Sequence, residues 1–190
     1  MRITNRDGVE MDVNANHQAE THSTTIKEIQ WFSRHKRTAY SAWGRTDTLS
    51  AAKVPVLYIK NTSSDKDLII YKANFQTIAE AATTPAVGIY WSVDLGSVCS
   101  GGTAMTPINL NTGSSNAAEV TALQSTPTIG TTGTETARIY PGVDGTLLSV
   151  DDGESIVVAP NGSWLLNYTT TGTAGIASAL VFFYMKDVVG

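Results

Sequence analysis

The sequence predicts an all-β fold: an antiparallel β-sandwich or jelly roll of about eight or nine strands, preceded by an N-terminal arm. Three observations lead there. Short apolar–polar alternations recur roughly every ten residues beyond residue 50. Turn-forming residues fill the gaps between them. No helix-period pattern stands among the alternations, so the crossover helices of a parallel sheet are missing.

The first 50 residues read as an arm or adaptor, and residues 51–190 as the compact body. Charge marks the division, with 11 Lys/Arg against 8 Asp/Glu in residues 1–72 and 2 against 9 in residues 73–190. Within the arm, Thr25 and Glu28 have the spacing of a helix capping box, and Ile26, Ile29 and Phe32 follow at every third residue. Those points fit two or three helical turns, and they equally fit an extended segment lying along a neighbour.

In the body, Val54, Val56, Tyr58 and Lys60 open the first alternating run, and 67–72 form the second. Asn61, Ser63 and Asp65 between them supply side chains that bond their own backbone in a turn. Val87, Ile89, Trp91, Val93 and Leu95 then alternate with Gly88, Tyr90, Ser92 and Asp94, as a half-buried strand requires. Weaker strand candidates are 104–109, 118–123 and 146–150. Residues 125–137, with six Thr and two Gly, read as an exposed connection. Asp151, Asp152 and Gly153 read as a hairpin turn leading into a strand at 154–159. Pro160, Asn161 and Gly162 make the next turn, before runs at 163–168 and 176–186. Trp91 and Trp164 fall on the apolar phase of their strands and are expected in the core.

Composition narrows the function. Charged residues are 16% and hydrophobic residues 42% of the chain, which suits a folded domain and excludes disorder throughout. A net charge of −4 argues against a dedicated nucleic-acid binder. A single cysteine, Cys99, excludes an internal disulfide and points to synthesis in a reducing compartment. No apolar run approaches the ~18 residues of a membrane span, and the first residues lack a signal peptide's apolar core.

Catalytic and metal patterns do not assemble. His17, His22 and His35 lack completing ligands, and His35 sits among cations. Cys99 has no neighbouring base and reads as a small buried apolar residue. Asp151, Asp152 and Glu154 lack the ligand alternation of a calcium loop. Asp94 and Glu119 make no more of a glycosidase pair than any two acids. No enzyme activity, cofactor or metal is expected. Sequons at Asn61, Asn161 and Asn167 are those expected by chance from so many Ser and Thr.

The densest functional signal spans residues 31–45. Trp31, Phe32, Tyr40 and Trp43 interleave with Arg34, Lys36, Arg37 and Arg45. Nucleic-acid contact, a protein interface and a solvated basic face over core aromatics all use these residue types. The acidity of the rest of the chain favours the protein interface.

Several stretches in order resemble small virion proteins of tailed bacteriophages, many of them marine. They are Asp7 and Gly8, residues 38–41, 56–64 and 67–70, 107–111 with 113–116, and 152–156 leading into the last hairpins. The resemblance implies a capsid decoration, cement or head-fibre subunit with a jelly-roll body, often trimeric. It implies a place on the virion, the major capsid protein as partner, and synthesis in the host bacterial cytoplasm. It carries over no catalytic residues. The Arg34 to Arg37 cluster departs from what the family shows there. The competing expectation is a tail-fibre or receptor-binding jelly roll that stacks host-surface carbohydrate on exposed tryptophans.

Overall fold

The computed structural model describes residues 2–4, 10–13, 19–22, 27–78, 90–140, 148–170 and 175–188. Three short strands, β1 (Arg2–Thr4), β2 (Glu10–Val13) and β3 (Ala19–His22), form a small antiparallel sheet of their own. A single helical turn, α1 (Glu28–Trp31), runs on as a π-helical turn over Phe32–Lys36. The remaining strands are β4 (Ala39–Thr46), β5 (Val54–Asn61), β6 (Lys66–Ile78), β7 (Tyr90–Leu95), β8 (Val98–Ser100), β9 (Thr103–Met105) and β10 (Ile108–Asn109). They continue with β11 (Val120–Gln124), β12 (Thr128–Thr131), β13 (Thr134–Ile139), β14 (Leu148–Val158), β15 (Ser163–Thr169) and β16 (Ile176–Asp187).

These make an all-β sandwich. One sheet runs β10-β4-β16-β6-β14 and the other β13-β7-β15-β5-β11-β9, while β8 and β12 pair as a separate ribbon. Eight frame strands pair in a nested way: β4 with β16, β5 with β15, β6 with β14, and β7 with β13. Residues 96–133 are the excursion at the centre of this nest. Its strands β10 and β11 extend the two sheets beyond β4 and β5, covering two backbone edges that would otherwise stay open.

Alternation explains which side chains meet. Tyr40 and Ala42 on β4, Leu68, Ile70 and Phe75 on β6, and Val181 and Phe183 on β16 point inward from one sheet. Trp91, Val93, Trp164, Leu166 and Tyr168 meet them from the other. Phe75 stacks on Trp91 at 5.2 Å between ring centres, and Trp91 meets Tyr168 at 4.8 Å. Both expected core tryptophans are 1% exposed. Each such side chain contributes about 2–3 kcal/mol of burial, so the aromatic layer dominates the stability of the sandwich.

The sheets approach closely at Gly44 of β4, where an added Cβ would lie 2.5 Å from the Val56 carbonyl oxygen. Only a residue without a side chain fits there.

Two of the three predicted turns form. Asn61 Oδ1 accepts the Ser63 amide at 3.0 Å between β5 and β6, and Asn161 takes a left-handed φ of 64° between β14 and β15. Other expectations change. Residues 39–46 lie inside the five-stranded sheet, paired along eight residues of β16, so the arm boundary at residue 50 is too late: Tyr40 and Ala42 are core. The stretch 125–137 holds β12 and most of β13 rather than an open connection. Asp151 to Gly153 makes no hairpin. Both flanks pair with the same strand, β6, and the acidic residues occupy a register break within β14. The helix has Lys27 as its N-cap, without a side-chain bond, and Thr25 and Ile26 of the expected capping box lie outside the described residues. The early part of the 87–95 run, and His17, lie outside the described residues.

Candidate partner-binding surface

The helical turn is held on the outer face of the five-stranded sheet by its own spacing. Ile29 and Phe32, three apart, point the same way and bury against Ala39, Ile69 and Tyr184. Phe32 stacks on Tyr184 with ring centres 4.5 Å apart, and Trp31 stands edge-on to Phe32 at 5.2 Å. Glu28 accepts an ion pair from Lys186 at 2.7 Å, tying the helix start to the end of β16.

The turn ends at Arg37, whose φ of 59° is left-handed and stops the helix. Its last carbonyls lack intrahelical donors, and asparagines of the excursion supply them. Asn111 Nδ2 donates to the Ser33 carbonyl at 3.0 Å and Asn109 Nδ2 to that of Arg37 at 2.9 Å. Asn116 reaches the same Arg37 carbonyl at 3.4 Å. The residues of the 107–116 stretch thus fix the shape of the segment that carries the basic cluster.

Of the eight residues expected at an interface, two are structural. Phe32 is buried under the turn. Tyr40 is 1% exposed in the core, and its hydroxyl donates to the Ala117 carbonyl at 3.0 Å. Burial, with the nearby Glu119 charge, pushes the Tyr40 phenol above its ordinary value. The alternating pattern of β4 explains the second case, because even-numbered residues face inward there.

The other six remain at the surface. Trp31 is half-buried, while Arg34, Lys36, Arg37, Trp43 and Arg45 are exposed. Lys36 Nζ sits over the Trp31 ring at 5.9 Å. Trp43 is 48% exposed on the outward phase of β4, opposite Leu180 of β16. The turn docks at the Ala39 end of that strand, and Arg45 is six residues further along, about 20 Å at strand rise. The six therefore form a strip rather than a compact patch. Among the described residues, ion pairs engage Lys53, Lys66, Arg138 and Lys186, and none of Arg34, Lys36, Arg37 or Arg45.

Beside the strip the helical turn and the sheet enclose a cleft of about 410 Å³, with Ile29, Leu110 and Phe182 as its apolar walls and Arg34 and Lys72 at its polar margin. Ile108, 62% exposed, and Leu110, 38% exposed, extend the apolar surface. Sequence reasoning passed over both, because each is a lone aliphatic in a polar stretch. What marks them is the two-residue ladder of β10 against β4, a long-range contact.

Asp94 is fully buried on the far face of the six-stranded sheet, between Lys53 at 2.9 Å and Asn167 Nδ2 at 3.0 Å. Glu119 pairs instead with Lys66, so the two acids serve different partners. Cys99 is half-buried rather than fully buried, and burial, with the Asp94 charge, pushes its thiol up to about 11. It is thiol, not thiolate, at neutral pH. His35 is exposed on the π-helical turn. Among the described residues no group of three His, Cys, Asp or Glu is placed to hold a metal ion. Asn61 and Asn167 are buried, which leaves Asn161 as the exposed sequon asparagine.

No model of a known protein family matches the chain, and no curated protein does.

Proposed function

We propose that this chain is a structural subunit of a tailed-bacteriophage virion, one that decorates or stabilises the capsid by binding the major capsid protein lattice. The observation that supports the reading best is the strip on the outer face of the five-stranded sheet. It combines an exposed Trp43 and four exposed cations without carboxylate partners among the described residues, the residue types that dominate protein interfaces when covered. The nested pairing of the eight frame strands supports a jelly-roll body, the form such subunits take. Self-association as a closed ring, a homotrimer in this reading, presents several strips at once and multiplies attachment through effective concentration.

The test adds purified protein to particles that lack it, followed by imaging and by counting retained copies after washing. Wild type is expected at regular positions on the shell, and Trp43→Ala together with Arg45→Ala is expected to reduce retention at least tenfold. Protein found solely at a tail tip would overturn the reading in favour of receptor binding, with Trp43 as the sugar-stacking ring.

A further inference from the structure

We propose that the cleft beside α1 receives the acidic N-terminal segment, residues 7–20, of a second copy of this chain. The inference rests on reading the Trp31 to Arg45 strip as an interface, and it names what covers the end of that strip nearest the helical turn.

The cleft is apolar inside, with Ile29, Leu110 and Phe182, and Arg34 stands at its margin. Lys36 and Arg37 follow directly, and none of these three cations has a carboxylate partner among the described residues. Such a site suits a strand bearing carboxylates on one phase and aliphatic residues on the other. Residues 9–13 alternate in that way, with Val9, Met11 and Val13 on one phase and Glu10 and Asp12 on the other; Asp7 and Glu20 flank them, and residues 7–20 hold no Lys or Arg. Charge complementarity of this kind sets register and speeds encounter.

The backbone supports an exchanged role for this segment. In the single chain, β2 pairs with β1 and β3, and the three strands form no ladder with the sandwich. Strands of three and four residues make a marginal sheet by themselves, and docking into the cleft gives the segment a further partner. Segment and cleft are different surfaces of one chain. Their contact is therefore heterologous, and it closes into a ring when the rotation between copies permits.

Light scattering on the full chain tests this at 10–100 µM protein, an ordinary working range for weak association. Wild type is expected as an oligomer that loosens with salt, because the charges involved are exposed. Two variants reverse the charges separately: Arg34→Glu at the cleft with Arg37→Glu at the end of the turn, and Asp12→Lys with Glu20→Lys in the segment. Each alone is expected to associate at least tenfold more weakly while keeping the wild-type circular dichroism. Mixed in equal amounts they should associate again, since the acidic cleft of one variant meets the basic segment of the other; these contacts alternate the two variants, so they build pairs, open chains or even-numbered rings. Variants that remain monomeric on mixing would overturn the proposal, as would a wild type that is monomeric throughout the range, the result expected if the segment docks on its own chain. A wild-type oligomer that assembles in this manner yet fails to bind particles would sink the virion reading and leave this inference standing.

Discussion

Lys53 Nζ stands 2.9 Å from Asp94 Oδ1, and the Asp94 side chain is wholly shielded from water. The lysine also reaches Glu135 at 2.7 Å. Burial pulls the Lys53 ammonium down, but the Glu135 and Asp94 carboxylates outweigh it and raise its pKa. Removing one member of a buried pair leaves the other uncompensated, at a cost of about 3 kcal/mol. Lys53→Met should therefore lower unfolding stability by roughly that amount in urea titration. A loss within 0.5 kcal/mol, the range of ordinary surface substitutions, would show that Asn167 alone satisfies the carboxylate.

Glu135 gives this network a pH signature. Arg138, and then Lys53, hold its carboxyl down to about 2. A depressed carboxyl stabilises the fold above its unfolded pKa of about 4.3, and that contribution is lost as pH falls through the folded value. Glu135 is 26% exposed, so the effect is modest, about 1 kcal/mol. Wild type should be more stable than Glu135→Gln at pH 6, with the difference fading between about pH 4.5 and 2. Equal stabilities at pH 6 would contradict the assignment.

Phe32 and Trp43 should separate stability from binding. Phe32→Ala empties the stack on Tyr184 and is expected to cost about 3 kcal/mol. Trp43→Ala, at a side chain 48% exposed, should change stability by no more than about 0.5 kcal/mol yet weaken particle attachment. Thermal melts and particle retention, measured on both variants, check the pair.

Asn109 bridges the end of the helical turn to the excursion, donating to the Arg37 carbonyl and accepting the Asn111 amide at 2.9 Å each. Asn109→Ala should cost about 1–2 kcal/mol. Hydrogen exchange should quicken first at the amides of residues 31–38, where the turn loses its anchor.

Gly44→Ala should cost about 2 kcal/mol or more, because the new methyl meets backbone of the facing sheet rather than a movable side chain. An unchanged denaturation midpoint would mean that β4 and β5 can part without penalty.

The sandwich was legible in the sequence where strands are amphipathic. Trp91, Val93 and Leu95, and Trp164, Leu166 and Tyr168, announce their inward phase by alternation alone. β4 was hidden because its inward residues beyond Tyr40 are Ala42, Gly44 and Thr46, too small to read as a core phase. Its outward residues Trp43 and Arg45 meanwhile look like an interface. β12 and β13 were hidden by threonines that suit a loop and a strand equally. The candidate surface was half legible. Side-chain type marked Arg34, Lys36, Arg37, Trp43 and Arg45, but nothing local placed Phe32 under the turn, or Ile108 and Leu110 beside the cleft. Those positions follow from ladders between residues about seventy apart or more in the chain, which local patterns do not record.

The nested pairing sets an order on synthesis. β16 is inserted between β4 and β6, and it pairs with both along most of its length. A ribosome delivers β4 and β6 long before β16, so each waits with one edge open for a strand that does not yet exist. The five-stranded sheet closes once β16 has emerged, so its completion is governed by its most distant contacts. Nascent chains stalled before β16 should bind chaperones that recognise open strand edges, and emergence of β16 should be the step that ends that dependence.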